Sequence, residues 1–279
     1  MKSICKICNS ENSLLFTERI LNKYKISYYR CPHCEFIQTE EPYWIKEAYS
    51  SAIADMDTGY VSRNLMYKDF VSSFILQNEQ FNANGHFLDY GGGYGVFVRL
   101  MRDKGFNFYR EDIYCQNIFA KHFDIENIGV EHIFELLTCF EVFEHLVHPL
   151  TEIEKMLCFS KSIFFSTELQ PKTELKSLDD WWYFAPESGQ HIAFYTKKTL
   201  EFIAKKYYLN LYSDNKSTHI FTDKVLDSNC VKKIINTKKS LCFRINQRIF
   251  NKQNITKRES YTWKDFLYIK SILNNKSLD

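Results

Sequence analysis

The sequence predicts an α/β protein with a doubly wound, mostly parallel β-sheet and a small cysteine-containing module at its N-terminus. Three observations support this fold class. From residue 86 onward, short apolar segments alternate with amphipathic ones, which is typical of strands alternating with helices. A glycine-rich stretch, LDYGGGYG at residues 88–95, follows the first of these strands. Two Cys-x2-Cys pairs lie near the N-terminus.

The N-terminal cysteines have the spacing of metal ligands. The two pairs are Cys5 with Cys8 and Cys31 with Cys34. Two such pairs can complete a tetrahedral shell of four thiolates around one ion. Buried or redox-active thiols are the alternative, but the doubled spacing favours a structural zinc ion, with His33 outside the ligand set. We therefore predict a zinc ribbon over residues 1–40, with a β-hairpin around Asn22-Lys23.

Residues 41–225 are predicted to form the main domain. A helix is expected from about Val61, with Leu65, Phe70 and Phe74 on its apolar side. The pattern then predicts strands, in chain order, in HFLDY, FNFYREDIY, FELLTCFEVFEHL, KSIFFSTEL and LNLYSDN. Helices are predicted in VFVRLMRDKG, PLTEIEKMLCF and KKTLEFIAKKYYL. Strands and helices in this order place the glycine-rich stretch in the loop between the first strand and its helix.

That loop is where a doubly wound sheet binds a nucleotide-like ligand. A P-loop would need Gly-Lys-Ser/Thr, but Val96 follows Gly95. A dinucleotide-binding G-x-G-x-x-G motif starting at Gly91 and Gly93 would also need glycine where Val96 stands. The remaining pattern is Asp89 followed by Gly91, Gly93 and Gly95 at every second position.

These residues resemble the loop of class I S-adenosylmethionine-dependent methyltransferases. The cofactor of that family carries a cationic sulfonium and an α-amino group, which an acidic residue at the strand end can complement. The family also places an acidic residue after the second strand to bind the ribose hydroxyls. Asp112 is the candidate here, with Glu111 as the alternative. The segment FEVFEHL, residues 140–146, resembles the family's acidic motif beside the transferred methyl group.

The resemblance covers about residues 60–215 and implies a Rossmann-like methyltransferase fold. The cofactor-binding residues expected from it and from the loop are Arg63, Asp89, Tyr90, Gly91, Gly93, Gly95, Asp112, Phe140 and Glu141. Arg63 is also explained as a surface arginine, and Glu141 as a residue that supports the strand end. The chain is further similar to bacterial methyltransferases of sugar and surface-polysaccharide biosynthesis, some of which carry an N-terminal four-cysteine zinc module. The longer sugar C-methyltransferases of that type have a further C-terminal domain, so we favour transfer to oxygen.

Two histidines are candidates for the general base that an oxygen acceptor requires, His145 and His191. Glu144 is the third candidate catalytic residue, and Glu141 and Glu144 are both candidates for binding hydroxyls near the methyl group. Each histidine is alternatively explained as a hydrogen-bonded structural residue. Three consecutive aromatic residues, Trp181, Trp182 and Tyr183, are candidates for stacking on the substrate or for packing onto the core.

Positive charge is concentrated near the C-terminus. Residues 231–270 contain eleven Lys and Arg against Glu259 and Asp265, whereas the whole chain has a net charge of +2. We predict a basic helical extension over residues 226–279, with Cys242, Ile245 and Ile249 on one stripe. A solvated helix face is favoured over a peripheral contact with phosphates or acidic lipids.

The leading hypothesis is a cytoplasmic methyltransferase that uses S-adenosylmethionine and a structural zinc ion. Its expected reaction is O-methylation of a sugar or a precursor of capsule or lipopolysaccharide. An RNA methyltransferase and a non-enzymatic zinc-ribbon binding protein are the alternatives, with an oxidoreductase disfavoured by the glycine spacing. The chain has no apolar run long enough for a membrane span and no secretory signal, and nucleic acid is not an expected partner.

Overall fold

The computed structural model describes residues 3–49, 57–128, 133–227, 231 and 258–276. The chain forms two compact units. The first consists of Met1–Thr58 with Cys139–Val225, and the second of Gly59–Thr138 with Leu226–Asp279. The domain boundaries given above, at residues 40 and 225, stay a prediction.

The helices and strands alternate through the middle of the chain. The strands are β1 (Ser13–Ile20), β2 (Tyr24–Arg30), β3 (Ile37–Thr39), β4 (His86–Tyr90), β5 (Asn107–Glu111), β6 (Leu136–Phe140), β7 (Ser162–Ser166), β8 (Ala193–Phe194), β9 (Asn210–Ser213) and β10 (Thr218–Thr222). The α-helices are α1 (Ile45–Ala48), α2 (Tyr60–Gln77), α3 (Val96–Asp103), α4 (Pro149–Phe159), α5 (Lys197–Lys206) and α6 (Thr262–Lys276). Four 3-10 turns lie at Ile125–Asn127, Phe143–His145, Leu178–Asp180 and Trp182–Phe184.

The larger sheet has the strand order β5-β4-β6-β7-β10-β9, and the boundary between the two units falls within β6. In it, β4 pairs in parallel with β5 and β6, with Asp89 opposite Arg110 on one side and Thr138 on the other. The last strand in the sequence, β10, pairs antiparallel with β7 and β9. This arrangement confirms the predicted α/β fold with a mostly parallel sheet, to which β10 adds antiparallel pairings.

The strand β10 was not predicted. All five of its residues are buried, and three of them are threonine or histidine, so the segment has neither polar-apolar alternation nor a continuous apolar run. Two of the polar side chains have hydrogen-bond partners nearby, since Thr222 Oγ1 lies 2.7 Å from Ser162 Oγ, whereas the buried Thr218 hydroxyl lacks one among the described residues. The His219 ring contacts Ser213 Oγ at 2.8 Å through Nδ1 and the Thr167 carbonyl oxygen at 3.0 Å through Nε2.

Several predicted elements are shorter than expected. The second predicted strand ends at Glu111, and FELLTCFEVFEHL ends as a strand at Phe140 because Glu141 turns into the left-handed region at φ 54°. The strand predicted in HFLDY has the expected bounds and begins at the half-buried His86. In α2, Phe70 and Phe74 are buried as predicted, whereas Leu65 is 44% exposed.

The N-terminal strands form a second sheet in the order β1-β2-β3-β8. The predicted hairpin is present. Leu21 and Asn22 both have positive φ, 50° and 53°, as in a type I′ turn, and the Lys23 amide donates to the Ile20 carbonyl oxygen at 3.0 Å. Ile20 pairs with Tyr24, so three residues connect the strands. The fourth strand, β8, pairs Phe194 with Ile37, so residues far along the chain complete the sheet of the cysteine module.

In the second unit, α6 is fixed by a buried ion pair. Arg102 donates to the Asp265 carboxylate from Nε at 2.8 Å and from Nη2 at 2.7 Å, and Nη1 of Arg99 lies 2.9 Å from the same carboxylate. Arg102 also lies over the Phe123 ring at 3.7 Å. The predicted stripe of Cys242, Ile245 and Ile249 lies outside the described residues. None of the helices that the structure describes is long and apolar enough to cross a membrane.

Candidate functional site

The glycine-rich loop joins β4 to α3 in the second unit. Gly91, Gly93 and Gly95 have φ values of 69°, 54° and 85°, in the left-handed region that side chains disfavour. Gly95 caps α3, and a Cβ atom there would lie 2.6 Å from Asn117 Oδ1. The loop thus needs glycine both for its backbone conformation and for space.

Main-chain amides tie this loop to the end of β5. The Gly91 amide donates to the Glu111 carbonyl oxygen at 2.8 Å, and the Gly93 amide donates to Asp112 Oδ2 at 2.8 Å. The other oxygen of Asp112 accepts from the amides of Tyr114 and Cys115, at 2.8 and 2.7 Å. Asp112 is therefore fixed against the loop, as expected of a residue that positions a ligand there. Burial raises the pKa of the neighbouring Glu111, which is half-buried.

Asp89 is a buried carboxylate at the end of β4, 3% exposed. It accepts a hydrogen bond from Thr138 Oγ1 at 2.7 Å. Burial raises the pKa of Asp89 to about 7, and the charge of Asp112 adds to this, although the Thr138 bond and Arg110 act in the opposite direction. Arg110 is engaged elsewhere, since its Nε donates to Asp124 at 2.6 Å. A positively charged ligand beside Asp89 would therefore stabilise its ionised carboxylate.

The N-terminus of α2 also faces the loop. The Tyr60 hydroxyl lies 3.1 Å from the point that a Cβ atom on Gly93 would occupy. Burial, together with the charge of Asp89, raises the pKa of Tyr60 to about 12. Arg63 follows one turn later and is half-buried, as is Tyr90 at the end of β4. Sequence reasoning missed Tyr60, because a tyrosine at a helix start carries no signal of its own.

In the first unit, the four N-terminal cysteines come together. Sγ of Cys5 lies 3.5 Å from Sγ of Cys34, and Sγ of Cys8 lies 3.3 Å from Sγ of Cys31. All four sulfur atoms lie within 4.8 Å of one another. Such distances are too long for disulfide bonds and fit four thiolates around one ion, about 3.8 Å apart for Zn–S bonds of about 2.3 Å.

The turns around these sulfurs have the hydrogen bonds expected of metal knuckles. The amide of Ile7 donates to Cys5 Sγ and the amide of Cys34 donates to Cys31 Sγ, each at 3.4 Å. Because N–H donors stabilise a thiolate, the fold itself favours the form that binds a metal. The cysteine donor set therefore fits a structural ion.

A second cluster in the first unit consists of Glu144, His145 and His191. Their ligand-type atoms lie within 4.8 Å of one another, with His145 Nε2 4.0 Å from Glu144 Oε1. The two imidazole rings are 4.9 Å apart, centroid to centroid. His145 Nδ1 contacts the Gln190 carbonyl oxygen at 3.1 Å, and His191 Nδ1 contacts that of Tyr183 at 2.6 Å. The structure thus brings together the three residues predicted to be catalytic.

Burial dominates the electrostatics of this cluster. It lowers the pKa of His145 to about 3, and His191 lowers it further, against the effects of the Gln190 carbonyl and of Asp57. Glu144 is fully buried, and among the described residues neither of its carboxylate oxygens has a hydrogen bond of normal geometry. The hydroxyls of Tyr183 and Tyr195 have raised pKa values, because of burial and then of the negative charge of Glu144.

Phe140, the last residue of β6, and Glu141, which follows it, were predicted to contact the cofactor. The amide of Glu141 donates to Ser166 Oγ at 2.9 Å, and Ser166 Oγ donates to Glu141 Oε1 at 2.5 Å. Glu141 is therefore held by β7, which is the fold-supporting alternative given above. Phe140 is half-buried, with its ring 6.0 Å from that of Phe164. Their contact with a cofactor stays a prediction.

The three aromatic residues do not share one environment. Trp181 and Tyr183 are buried in the core of the first unit, 7% and 2% exposed, whereas Trp182 is 74% exposed. Core packing explains Trp181 without a ligand, since its ring meets those of Phe184 and Phe194. Only Trp182 presents a free ring face of the kind that stacks on a substrate.

Comparison with known proteins identifies one family. Residues 63–213, more than half of the chain, match a family model described as a methyltransferase domain. No curated protein matches the chain by sequence.

Similar solved structures have low sequence identity. The plantazolicin methyltransferase BpumL in complex with SAH is 9% identical, with a TM-score of 0.43, and the match covers 63% of this chain and 94% of that one. Magnesium protoporphyrin IX methyltransferase from Synechocystis with bound SAH is 12% identical, with a TM-score of 0.39, over 64% of this chain and 94% of that one. CalO1, a methyltransferase in calicheamicin biosynthesis, is 14% identical, with a TM-score of 0.39, over 64% of this chain and 61% of that one.

Proposed function

Because the chain belongs to the methyltransferase domain family, we propose that it transfers a methyl group from S-adenosylmethionine to an oxygen atom of a small molecule. The match confirms the prediction of a methyltransferase. The observation that carries the choice of cofactor is the pairing of Asp89 and Asp112 with a glycine loop that lacks phosphate-binding residues.

Each part of the cofactor has a candidate partner in the second unit. Ionised Asp89 would complement the positive charge of the methionyl part, which would in turn offset the unfavourable burial of its carboxylate. Asp112 would accept from the ribose through Oδ2, which has a lone pair beyond the one used by the Gly93 amide, whereas Oδ1 already accepts from the amides of Tyr114 and Cys115. Glu111 remains the alternative. Arg63 would bind the cofactor carboxylate, and the Tyr60 hydroxyl is a further donor beside Gly93.

The acceptor is proposed to bind at the Glu144–His145–His191 cluster. The two imidazoles use Nδ1 for main-chain carbonyls, so each presents an Nε2 lone pair, and Glu144 adds two carboxylate oxygens. These atoms are hydrogen-bond acceptors, which matches an acceptor substrate rich in hydroxyl groups. A carbohydrate or a surface-polysaccharide precursor meets this requirement, and the exposed ring of Trp182 could stack on a sugar. That His145 or His191 acts as the general base stays a prediction.

The four cysteines are proposed to hold a structural zinc ion. Zinc suits their all-thiolate donor set, and a shell of four protein ligands leaves no position for a substrate. The RNA methyltransferase alternative depends on basic residues, of which most lie outside the described ranges, so no observation favours it. A cytoplasmic location likewise stays a prediction.

Isothermal titration of the full-length protein with S-adenosylmethionine, SAH and NAD tests the cofactor. We expect the first two to bind and NAD not to bind. Asp112→Ala should abolish binding. Asp179→Ala is the matched control, because that residue is exposed and lies outside the proposed site. Failure of both methionine-derived ligands to bind would refute the proposal, and loss of binding in Glu111→Ala alone would move the ribose contact to that residue.

A further inference from the structure

The hydrogen bonds of His145 and His191 fix which ring nitrogen of each carries a proton. A carbonyl oxygen can only accept, so the Nδ1 atom of each ring must donate, to Gln190 and to Tyr183 respectively. In the neutral imidazole, Nε2 is then left with an unprotonated lone pair. In metal-bound histidines the nitrogen that does not bind the metal commonly donates to a carbonyl oxygen, which orients the ring, and both histidines of this cluster have that arrangement.

Glu144 supplies an independent observation. Its carboxylate is fully buried, and within the described residues neither oxygen has a hydrogen bond of normal geometry. Among the described residues, the basic group that the carboxylate approaches is His145 Nε2, at 4.0 Å, and this is the nitrogen that the tautomer leaves unprotonated. The Tyr183 hydroxyl interacts with Glu144 and also contacts Thr167 Oγ1 at 3.5 Å, but it is neutral. A buried carboxylate that faces only a neutral hydroxyl is unfavourable unless a cation compensates its charge.

We propose that Glu144, His145 and His191 bind one divalent first-row transition-metal ion. Their ligand atoms lie within 4.8 Å of one another, so a small movement brings all three to bonding distance of a common ion. Two imidazole nitrogens and one carboxylate suit zinc, iron, manganese or cobalt, and three protein ligands leave coordination positions open. This site differs from the cysteine cluster, which is closed by four thiolates.

The role of the ion follows from its open positions, and it rests on the proposed methyl transfer. The acceptor hydroxyl would bind the ion through oxygen, which lowers the pKa of that hydroxyl and lets its proton pass to water. The oxygen lone pair then forms a bond to the methyl carbon of S-adenosylmethionine. The carbon–sulfur bond breaks at the same time, and its electron pair stays on sulfur, so that the products are the methyl ether and SAH. In this arrangement neither histidine accepts the proton.

Metal content and cobalt spectra test the site without an activity assay. The full-length protein, saturated with zinc and dialysed, is expected to hold about two equivalents per chain by mass spectrometry, and Glu144→Gln and His191→Ala about one. His148→Ala is the matched control, since this exposed histidine lies outside the cluster, and should keep about two. Cobalt added at the second site should give visible d–d bands without the thiolate charge-transfer band of the cysteine site.

Circular dichroism of each variant separates a lost ligand from a lost fold, and the two single substitutions change the cluster in different ways. One equivalent in the wild-type protein, or two in both variants, would overturn the proposal, as would a second cobalt spectrum dominated by thiolate. Titration with S-adenosylmethionine distinguishes the two proposals. If the protein binds the cofactor but holds no second metal ion, the metal site is refuted and the proposed methyl transfer is not. If it holds a second metal ion but does not bind the cofactor, the proposed use of S-adenosylmethionine is refuted and the metal site is not.

Discussion

Replacing Asp89 with asparagine should make the ligand-free protein more stable at high pH. The ordinary pKa of an aspartate is 3.8, and burial raises that of Asp89 to about 7. The folded state therefore holds the proton more tightly than the unfolded state, and stability falls as pH rises from about 4 to 7. A shift of about three pKa units corresponds to about 4 kcal/mol of unfolding free energy lost above pH 7.

Asparagine has the same shape and keeps an oxygen to accept from Thr138 Oγ1, but it cannot ionise. Its amide nitrogen adds a buried donor, which costs about 1–3 kcal/mol at every pH. Because this cost is the same at every pH, it does not affect how the stability difference between the two proteins changes with pH. Between pH 5 and pH 8, the stability of the wild-type protein should fall by about 3 kcal/mol relative to Asp89→Asn.

Urea denaturation followed by tryptophan fluorescence, at pH 5 and at pH 8, measures this difference. Asp179→Asn, an exposed aspartate with the same change of charge, should give no such difference relative to the wild-type protein. If the difference in unfolding free energy between the wild-type protein and Asp89→Asn is the same at both pH values, the pKa of Asp89 is not raised in the folded protein and the reasoning is refuted.

Three further predictions concern Asp89, the buried ion pair of Asp265 and the two tryptophans. The affinity for S-adenosylmethionine should rise with pH up to about 7, since only ionised Asp89 complements a cation; titration calorimetry at pH 6 and pH 8 measures it, and equal affinities would contradict the assigned partner. Asp265→Asn should destabilise the protein by about 3–5 kcal/mol in urea, because buried Arg102 loses its carboxylate; a change below 1 kcal/mol would refute a buried pair. Trp181→Ala should lower stability by about 3–5 kcal/mol, whereas Trp182→Ala should leave the unfolding midpoint unchanged and weaken only acceptor binding.

Features set by neighbouring residues could be predicted from the sequence. The helix Pro149–Phe159 begins and ends where the amphipathic pattern does, and Gly105 follows α3 with φ 80°. The hairpin was predicted around Asn22-Lys23, and both residues lie in the connection between Ile20 and Tyr24, whereas the positive φ of Leu21 carries no sequence signal. Glycine spacing excluded two ligand classes, since each requires a particular residue after a particular glycine.

Pairings between distant residues could not be predicted. Arg102 and Asp265 are 163 residues apart, and nothing in either local segment indicates that they form an ion pair. The same is true of β8, two residues long, which completes the sheet of the cysteine module. His145 and His191 were singled out separately because histidine suits proton transfer, but only the fold brings their rings to 4.9 Å.

The cysteine module is best understood as part of the body that carries the histidine cluster, since both lie in the first unit. Phe16 and Tyr28 of its hairpin pack against Phe184, which closely follows Tyr183. The Thr199 hydroxyl donates to the carbonyl oxygen of Cys34 at 2.8 Å, and β8, beginning two residues after His191, pairs with β3. An ion that orders the cysteines therefore also stabilises the segment that presents His191. Replacing one cysteine ligand, as in Cys8→Ser, should consequently impair the proposed acceptor binding at the histidine cluster before it impairs cofactor binding, which is proposed for residues of the second unit.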